Sequence, residues 1–488
     1  MIPRRMFLMA IGGAAATAAL PFAIPRAAQS SLPGVLAPLP FEMEQGVKTF
    51  QLRSRQVSLP LLSVDGPQSP LWLYADAPLP VIRATRGEPV RIRFTNDLPT
   101  EHSSIHWHGI RVPNEMDGVP YITQKPVQPG SGYVYEFTPP DAGTFFFHPH
   151  CNESGQVGQG LAGVFIVDGD TSVPFDEEII LAVKDWRLSP DGSFLPFSTI
   201  KGASRAGTFG TVRTVNGAAA FARTVPASAD LRLRLLNLDS TRVIEVGIEG
   251  AEAQVIAIDG NAVPPFPLDT WRMGPAMRLD LAVRSPASGD AFKLIDYGAS
   301  ELYDLAVLTA EGSSLRSDPF SPAPLLASPI PVPDLPGAET QTYLFGAASD
   351  SIASFVDSLD PDDPLSAVIL DSLCTGDETF WSINKLSWPH DGHEKLPPPL
   401  ARLQAGKSYR FILQNGTPHP HPIHLHGHTF TVLSSSKRPL PMHQADTVLV
   451  APKERVEIAF VARDGDWMLH CHILEHLETG MMGYLRIA

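Results

Sequence analysis

All 16 histidines of this chain fall in two windows, His102 to His150 and His390 to His476, and the long stretch between them has none. Within the windows they gather into four motifs. These are His106-Trp107-His108-Gly109, His148-Pro149-His150, His421-Pro422-Ile423-His424-Leu425-His426, and His470-Cys471-His472-Ile473-Leu474-Glu475-His476, the last followed by Gly480-Met481-Met482. One His-x-His on a strand is an ordinary pair of polar side chains. Four such motifs in one chain need a shared partner, and a metal is the partner that suits imidazole. Any fold of this sequence must therefore bring its two ends together around metal.

Read as a strand, the last motif sends His470 and His472 to one face and Cys471 to the other. The Cys471 thiolate, the His476 imidazole five residues on and the Met481 thioether form the ligand set of a blue-copper electron-transfer site, once a second imidazole is supplied from elsewhere. The two histidines on the opposite face suit a different cluster, joined to that thiolate through a few covalent bonds.

At 488 residues the chain exceeds one core, and its 48 prolines and 38 glycines favour short strands joined by turns. Alternating segments recur at comparable places in blocks of similar length: Val90 to Asn96, Leu231 to Asn237 and Tyr409 to Asn415. Three related all-β domains are predicted. A second internal match joins only the outer blocks. Gly143-Thr144-Phe145-Phe146-Phe147-His148-Pro149-His150 corresponds to Gly465-Asp466-Trp467-Met468-Leu469-His470-Cys471-His472, and Gly160-Leu161-Ala162-Gly163-Val164 to Gly480-Met481-Met482-Gly483-Tyr484. First and third domains are thus expected to face each other across a metal cluster, at residues 36–170 and 337–488, with a ligand-free spacer at 171–325.

The four motifs resemble those of the multicopper oxidases, and the resemblance covers nearly the whole chain after its leader. It implies three consecutive cupredoxin-like Greek-key β-sandwich domains and four copper ions. Carried over motif by motif, it places a type 1 copper on His421, Cys471 and His476 with Met481 axial, and a type 2 copper on His106 and His424. One type 3 copper falls to His108, His148 and His472, and the other to His150, His426 and His470. His419 neighbours His421, but spacing to His424 and His426 selects His421. Asp117, in Asn114-Glu115-Met116-Asp117-Gly118, matches the family acid beside the cluster and is expected to supply or orient protons. Several bacterial relatives carry a Glu directly after the second type 1 histidine; here that position is Leu477. Glu478 follows, with its side chain expected to point elsewhere. Asp446 is expected to be structural, and His102, His390, His393, His419, His428 and His443 to be surface or supporting groups.

Residues 1–28 read as a twin-arginine signal peptide: Arg4-Arg5-Met6-Phe7-Leu8 precedes an alanine-rich apolar run, and no acid occurs before Glu42. That predicts export to the periplasm by the twin-arginine machinery, and the run is too short for a membrane anchor. The leader holds three arginines and no acid, so its removal takes the formal charge from −15 to −18 and makes nucleic acid a poor partner. Besides Cys471 there are Cys151 and Cys374, which an exported protein could pair or leave as two free thiols. The acidic, proline-containing run from Asp357 to Pro364 reads as a solvated loop.

The resemblance implies a monomeric oxidase that couples four one-electron oxidations of a small reducing substrate to reduction of O2 to two waters. Phenols and aromatic amines are the default donors. Val183-Lys184-Asp185-Trp186-Arg187 and Leu235-Leu236-Asn237-Leu238-Asp239 look like the bacterial branch associated with manganese oxidation, so Mn(II) is the alternative; the 11 methionines are scattered, which disfavours Cu(I). A structural cell-division role, known for family members that have lost ligands, is the alternative of another class.

Overall fold

The computed structural model describes residues 36–63, 65–75, 78–348, 379–389 and 395–488. The leader, Cys374 with its possible bridge to Cys151, the 357–364 run, His390 and His393 lie outside the described residues.

The three alternating segments become the strands Val90–Asn96, Asp230–Asn237 and Ser408–Asn415. Each lies between one parallel and one antiparallel neighbour, the non-local pairing of a Greek key. Their alternation buries one face in a hydrophobic core and leaves the other half-exposed in the first and third cases, whereas Asp230–Asn237 is buried on both. Each strand ends in a buried asparagine, Asn96, Asn237 or Asn415. In each, Oδ1 accepts from the backbone N–H two residues on, at Leu98, Asp239 and Thr417 respectively, while Nδ2 donates to two carbonyls across the turn. The same corner is thus made three times, and it satisfies the backbone where the chain leaves each sheet.

Among the described residues six sheets pack in pairs around three cores, one formed by Phe50, Ile92 and Trp107 with their neighbours, one by Leu233, Leu281 and Phe292, and one by Phe411, Ile458 and Trp467. The architecture is all-β, as expected. Two of the sheets carry the motifs. In the first, strands run in the order Leu36–Pro38, Leu79–Thr85, Gly163–Asp168, Gly143–His148, His106–His108. In the second the order is Ala401–Leu403, Met482–Ile487, Gly465–Cys471, His421–Leu425, Thr447–Val450. The register is equivalent, with His106 opposite His148 and His424 opposite His470.

The middle domain does more than space the outer two, which amends the expectation for 171–325. Arg278, fully buried, donates from Nε to the Thr144 carbonyl of the first domain (3.2 Å) and from Nη1 to Asp446 Oδ1 of the third (2.8 Å). A short helical turn, Ile200–Ala203, pushes Ile200 and Ala203 into the third-domain core. Among the described residues no helix is long and apolar enough to cross a membrane.

Candidate metal centre

Two groups of ligating side chains form where the motif sheets meet. The smaller comprises His421, Cys471 and His476, whose nearest ligand atoms all lie within 4.8 Å of one another and are buried. Cys471 closes the strand Gly465–Cys471; His476 lies on the helical turn Leu474–Glu478 that follows. His421 opens its strand directly after the Asn415 corner, and Thr417 within that corner faces the His421 Nε2 at 2.8 Å. Thr417 Oγ1 is within donating distance of Asn415 Oδ1 (2.9 Å) and the His419 carbonyl (3.1 Å), so it accepts from the imidazole N–H. His476 Nε2 donates to the Arg205 carbonyl at 2.7 Å.

With both Nε2 atoms protonated, both Nδ1 atoms present bare lone pairs, only 3.1 Å apart and 3.5 and 3.6 Å from Cys471 Sγ. Two lone pairs and a sulfur facing one another in a dry pocket repel unless a cation sits among them. Burial also pushes the Cys471 thiol well above its ordinary range and His476 down to about 3, so a soft cation that draws off the thiol proton resolves both penalties. Met481 is fully buried beside them, its N–H donating to the His476 carbonyl and its carbonyl accepting from the Cys471 N–H.

The larger group holds the eight remaining motif histidines. In seven of them one ring nitrogen is tied outward and the other is turned in. His106 Nδ1 donates to the Asp117 carbonyl (2.8 Å), His424 Nδ1 to that of Asp446 (2.8 Å), His148 Nδ1 to that of Pro149 (2.9 Å) and His470 Nδ1 to that of Cys471 (2.9 Å). His426 Nδ1 donates to Asp117 Oδ2 (2.8 Å) and His150 Nδ1 to Glu153 Oε1 (2.9 Å). His108 is turned the other way, with Nε2 on Asp446 Oδ1 (3.1 Å) and Nδ1 inward. The inward nitrogens of His106, His108, His148, His150 and His424 are buried and have no hydrogen-bond partner among the described residues, and neither has His472 at either nitrogen. His426 and His470 face each other Nε2 to Nε2 at 3.0 Å.

Ligand atoms group as His106-His108-His148, as His150-His426-His470 and as His106-His424-His426, each set within 4.8 Å; the His472 ring centre lies 4.9 Å from His108 and 5.2 Å from His148. Burial, reinforced by neighbouring imidazoles, holds His108, His148, His424, His426 and His472 well below the ordinary histidine range. Neutral imidazoles with converging lone pairs are metal ligands, and soft N and S donors of this kind suit copper.

Three further residues lie around the ligand groups. Asp446 carries His108 and His424 and is itself held by Arg278. Gly109 follows His108 at φ +85°, where a Cβ would meet Arg278 Nη2 at 2.4 Å and Asp446 Oδ2 at 2.5 Å, so the motif glycine makes room for that ion pair. Glu478 is exposed, and one of its carboxylate oxygens accepts from the Ser154 N–H (2.8 Å). It lines, with Glu153, His150, His102, Met468 and Trp388, a cavity of about 550 Å³ between the outer domains. Glu153, which no motif singled out, stands three residues after His150 and opens the helix Glu153–Gly158. His428 and His443 are buried supports, bonded to the carbonyls of His426 and Pro441. His419 is half-buried near Trp381.

Sequence models described as multicopper oxidase match residues 61–172, 188–299 and 364–488. A multi-copper oxidase crystal structure from Pseudomonas thermotolerans superposes with a TM-score of 0.79 and 36% identity, covering 90% of this chain and 99% of that one. Laccase-1 of Botryotinia fuckeliana is 27% identical over 86% of this chain and 79% of its own length. The iron transport multicopper oxidase FET3 of Candida albicans is 26% identical over 83% and 70%.

Proposed function

As the chain belongs to the multicopper oxidases, oxidoreductases that use O2, we propose that it takes electrons singly from a small reducing substrate at His421-Cys471-His476 and delivers them to the histidine cluster, where O2 becomes two waters. The observation that carries this is the strand Gly465–Cys471 with the residue after it: Cys471 belongs to the smaller group while His470 and His472 belong to the larger. When bound, four coppers supply one-electron transfer at the first group and the four electrons that O2 requires at the second.

The ligand sets proposed are His421, Cys471, His476 and Met481 for type 1, and His106 and His424 for type 2. Those for the type 3 pair are His108, His148 and His472, and His150, His426 and His470. Asp117 orients His106 and His426 through its carbonyl and carboxylate, and we assign it the role of supplying or orienting protons beside the cluster. Glu153 fixes the tautomer of His150, and the cavity it shares with Glu478 gives O2 and water a path to that imidazole. The ties on the other motif histidines keep their lone pairs aimed inward, so little reorganisation accompanies metal binding.

Phenols and aromatic amines are the proposed donors. Mn(II) stands as the second reading, favoured by one observation: His476 is wholly covered, so a donor does not touch it. Residues 1–28 are proposed to direct export to the periplasm by the twin-arginine route, with the mature protein a monomer. A cell-division role without copper would leave the converging lone pairs without purpose.

Copper analysis, visible absorption and O2 uptake of the copper-loaded protein test the class. Expected are about four coppers per chain, an intense thiolate-to-copper band that Cys471→Ser abolishes, and O2 uptake with 2,6-dimethoxyphenol or with Mn(II), the faster of the two naming the donor class. Full copper loading with neither band nor uptake would overturn the proposal.

A further inference from the structure

Both histidines of the smaller group turn an N–H away from it, that of His421 to Thr417 in its own domain and that of His476 to the middle domain, where it does not reach solvent. A strap of the middle domain, residues 199–208, lies across it. The Arg205 carbonyl accepts from His476 Nε2 at 2.7 Å, and the Ala203 carbonyl accepts from the indole N–H of Trp381 at 2.6 Å. The Trp381 ring packs on His476 with 4.6 Å between ring centres.

The strap is built to stay in place. Thr199 caps its helical turn by accepting from the Gly202 N–H, and Ile200 and Ala203 are buried in the third-domain core. Its two ends are gathered by one carboxylate: Glu475, next to His476, accepts from the N–H groups of Thr199 and Thr208 and from the Thr208 hydroxyl. The turn folds so tightly that a Cβ on Gly202 would meet Thr208 Oγ1 at 1.8 Å. Outward the strap shows Lys201, with Arg205 half-exposed, and exposed Phe209 follows its end.

We infer that residues 199–208 are a specificity-determining cover over the electron-entry imidazole, which keeps every donor a chain's thickness from His476 and admits electrons through the Arg205 carbonyl hydrogen bond. The inference rests on the proposed copper-oxidase function and refines its donor class. Electron transfer weakens steeply with separation, and a phenol that must hand a proton to a nearby group as it is oxidised is hindered most by the cover. Compact outer-sphere reductants, including metal complexes that change only their charge, are hindered least. The residues of the strap act by position; none touches the reacting atoms of the cluster.

Two variants of the full chain test this: replacement of residues 200–206 by a Gly-Ser linker of equal length, and Gly202→Val, which pries the turn apart while leaving its other residues. The first readout uses copper-free protein, treated with diethyl pyrocarbonate and mapped by mass spectrometry. His476 modification is expected to rise at least tenfold over the parent chain in both variants. The second uses copper-loaded protein, where the ratio of kcat/KM for 2,6-dimethoxyphenol to that for hexacyanoferrate(II) is expected to rise at least tenfold with the thiolate band retained. An unchanged ratio and unchanged labelling in both variants overturn the cover. So does loss of the thiolate band in both, since the strap would then build the site and not screen it. If the parent chain with copper consumes no O2 with hexacyanoferrate(II), the proposed function fails, and the copper-free labelling still decides whether the strap covers His476.

Discussion

Asp117 and Lys184 show how far a single residue can be read. Asp117 was visible as a family acid, and its place between His106 and His426 follows from the turn Asn114–Met116 just before it. Lys184, in the stretch that resembles the manganese-associated branch, is a buried ammonium whose Nζ donates to the Val157 carbonyl (2.8 Å) and lies over the Trp186 ring. Burial lowers it to about 8 from 10.5, against the pull of Asp239 and Asp185. The folded chain therefore gives up this proton before the unfolded chain does. Between pH 8 and 10.5 the unfolded state binds more protons, so this residue's contribution to stability rises with pH across that window by about 3 kcal/mol. Lys184→Met removes the term: its stability relative to the parent should be most favourable below pH 8 and fall as pH increases to 10.5. Urea unfolding at pH 7.5 and 9.5 measures it, and a pH-independent difference would show that the ammonium is not desolvated.

The asparagine corner is one element put to two uses. Asn237 and Asn415 make the same bonds, but only the third-domain corner places a threonine against a ligand, through Thr417 and His421. Replacing either asparagine by alanine strands a buried N–H and two carbonyls, at roughly 1–3 kcal/mol for each group left unsatisfied. Asn237→Ala and Asn415→Ala should both lower unfolding free energy by about 3 kcal/mol. Only Asn415→Ala should also shift or bleach the thiolate band, because Thr417, which faces His421 Nε2, loses its anchor on Asn415. Equal spectra in the two variants would count against that role for Thr417.

Across the whole molecule, the middle domain decides whether the outer two hold a cluster. Arg278 joins Thr144, Asp259 and Asp446, one from each domain, and burial without it would leave the Asp259 and Asp446 carboxylates unpaired. Removing one partner from such a buried network costs about 3–5 kcal/mol. Arg278→Met should therefore destabilise by that amount and release cluster copper, since His108 and His424 are carried by Asp446. Copper retained after dialysis against a mild chelator should drop by more than one ion per chain, with the thiolate band kept. Loss of the band together with the cluster copper would place the effect on global folding instead.

Much was legible in the residue order because it depends on local period and on ligand chemistry. Alternation predicts strands, repeated segments predict three domains, and histidines confined to two windows require the chain's ends to meet; the motif residues singled out on those grounds do converge in the structure. The supports were not legible in the same way. Arg278 and the 199–208 strap lie within unremarkable sequence, and their roles come from what is folded against them from more than a hundred residues away. A ligand is recognisable because its own chemistry is rare. Which nitrogen it offers, and what stands between it and solvent, depend on hydrogen-bond partners and cover supplied by other domains, and only the tertiary structure decided those.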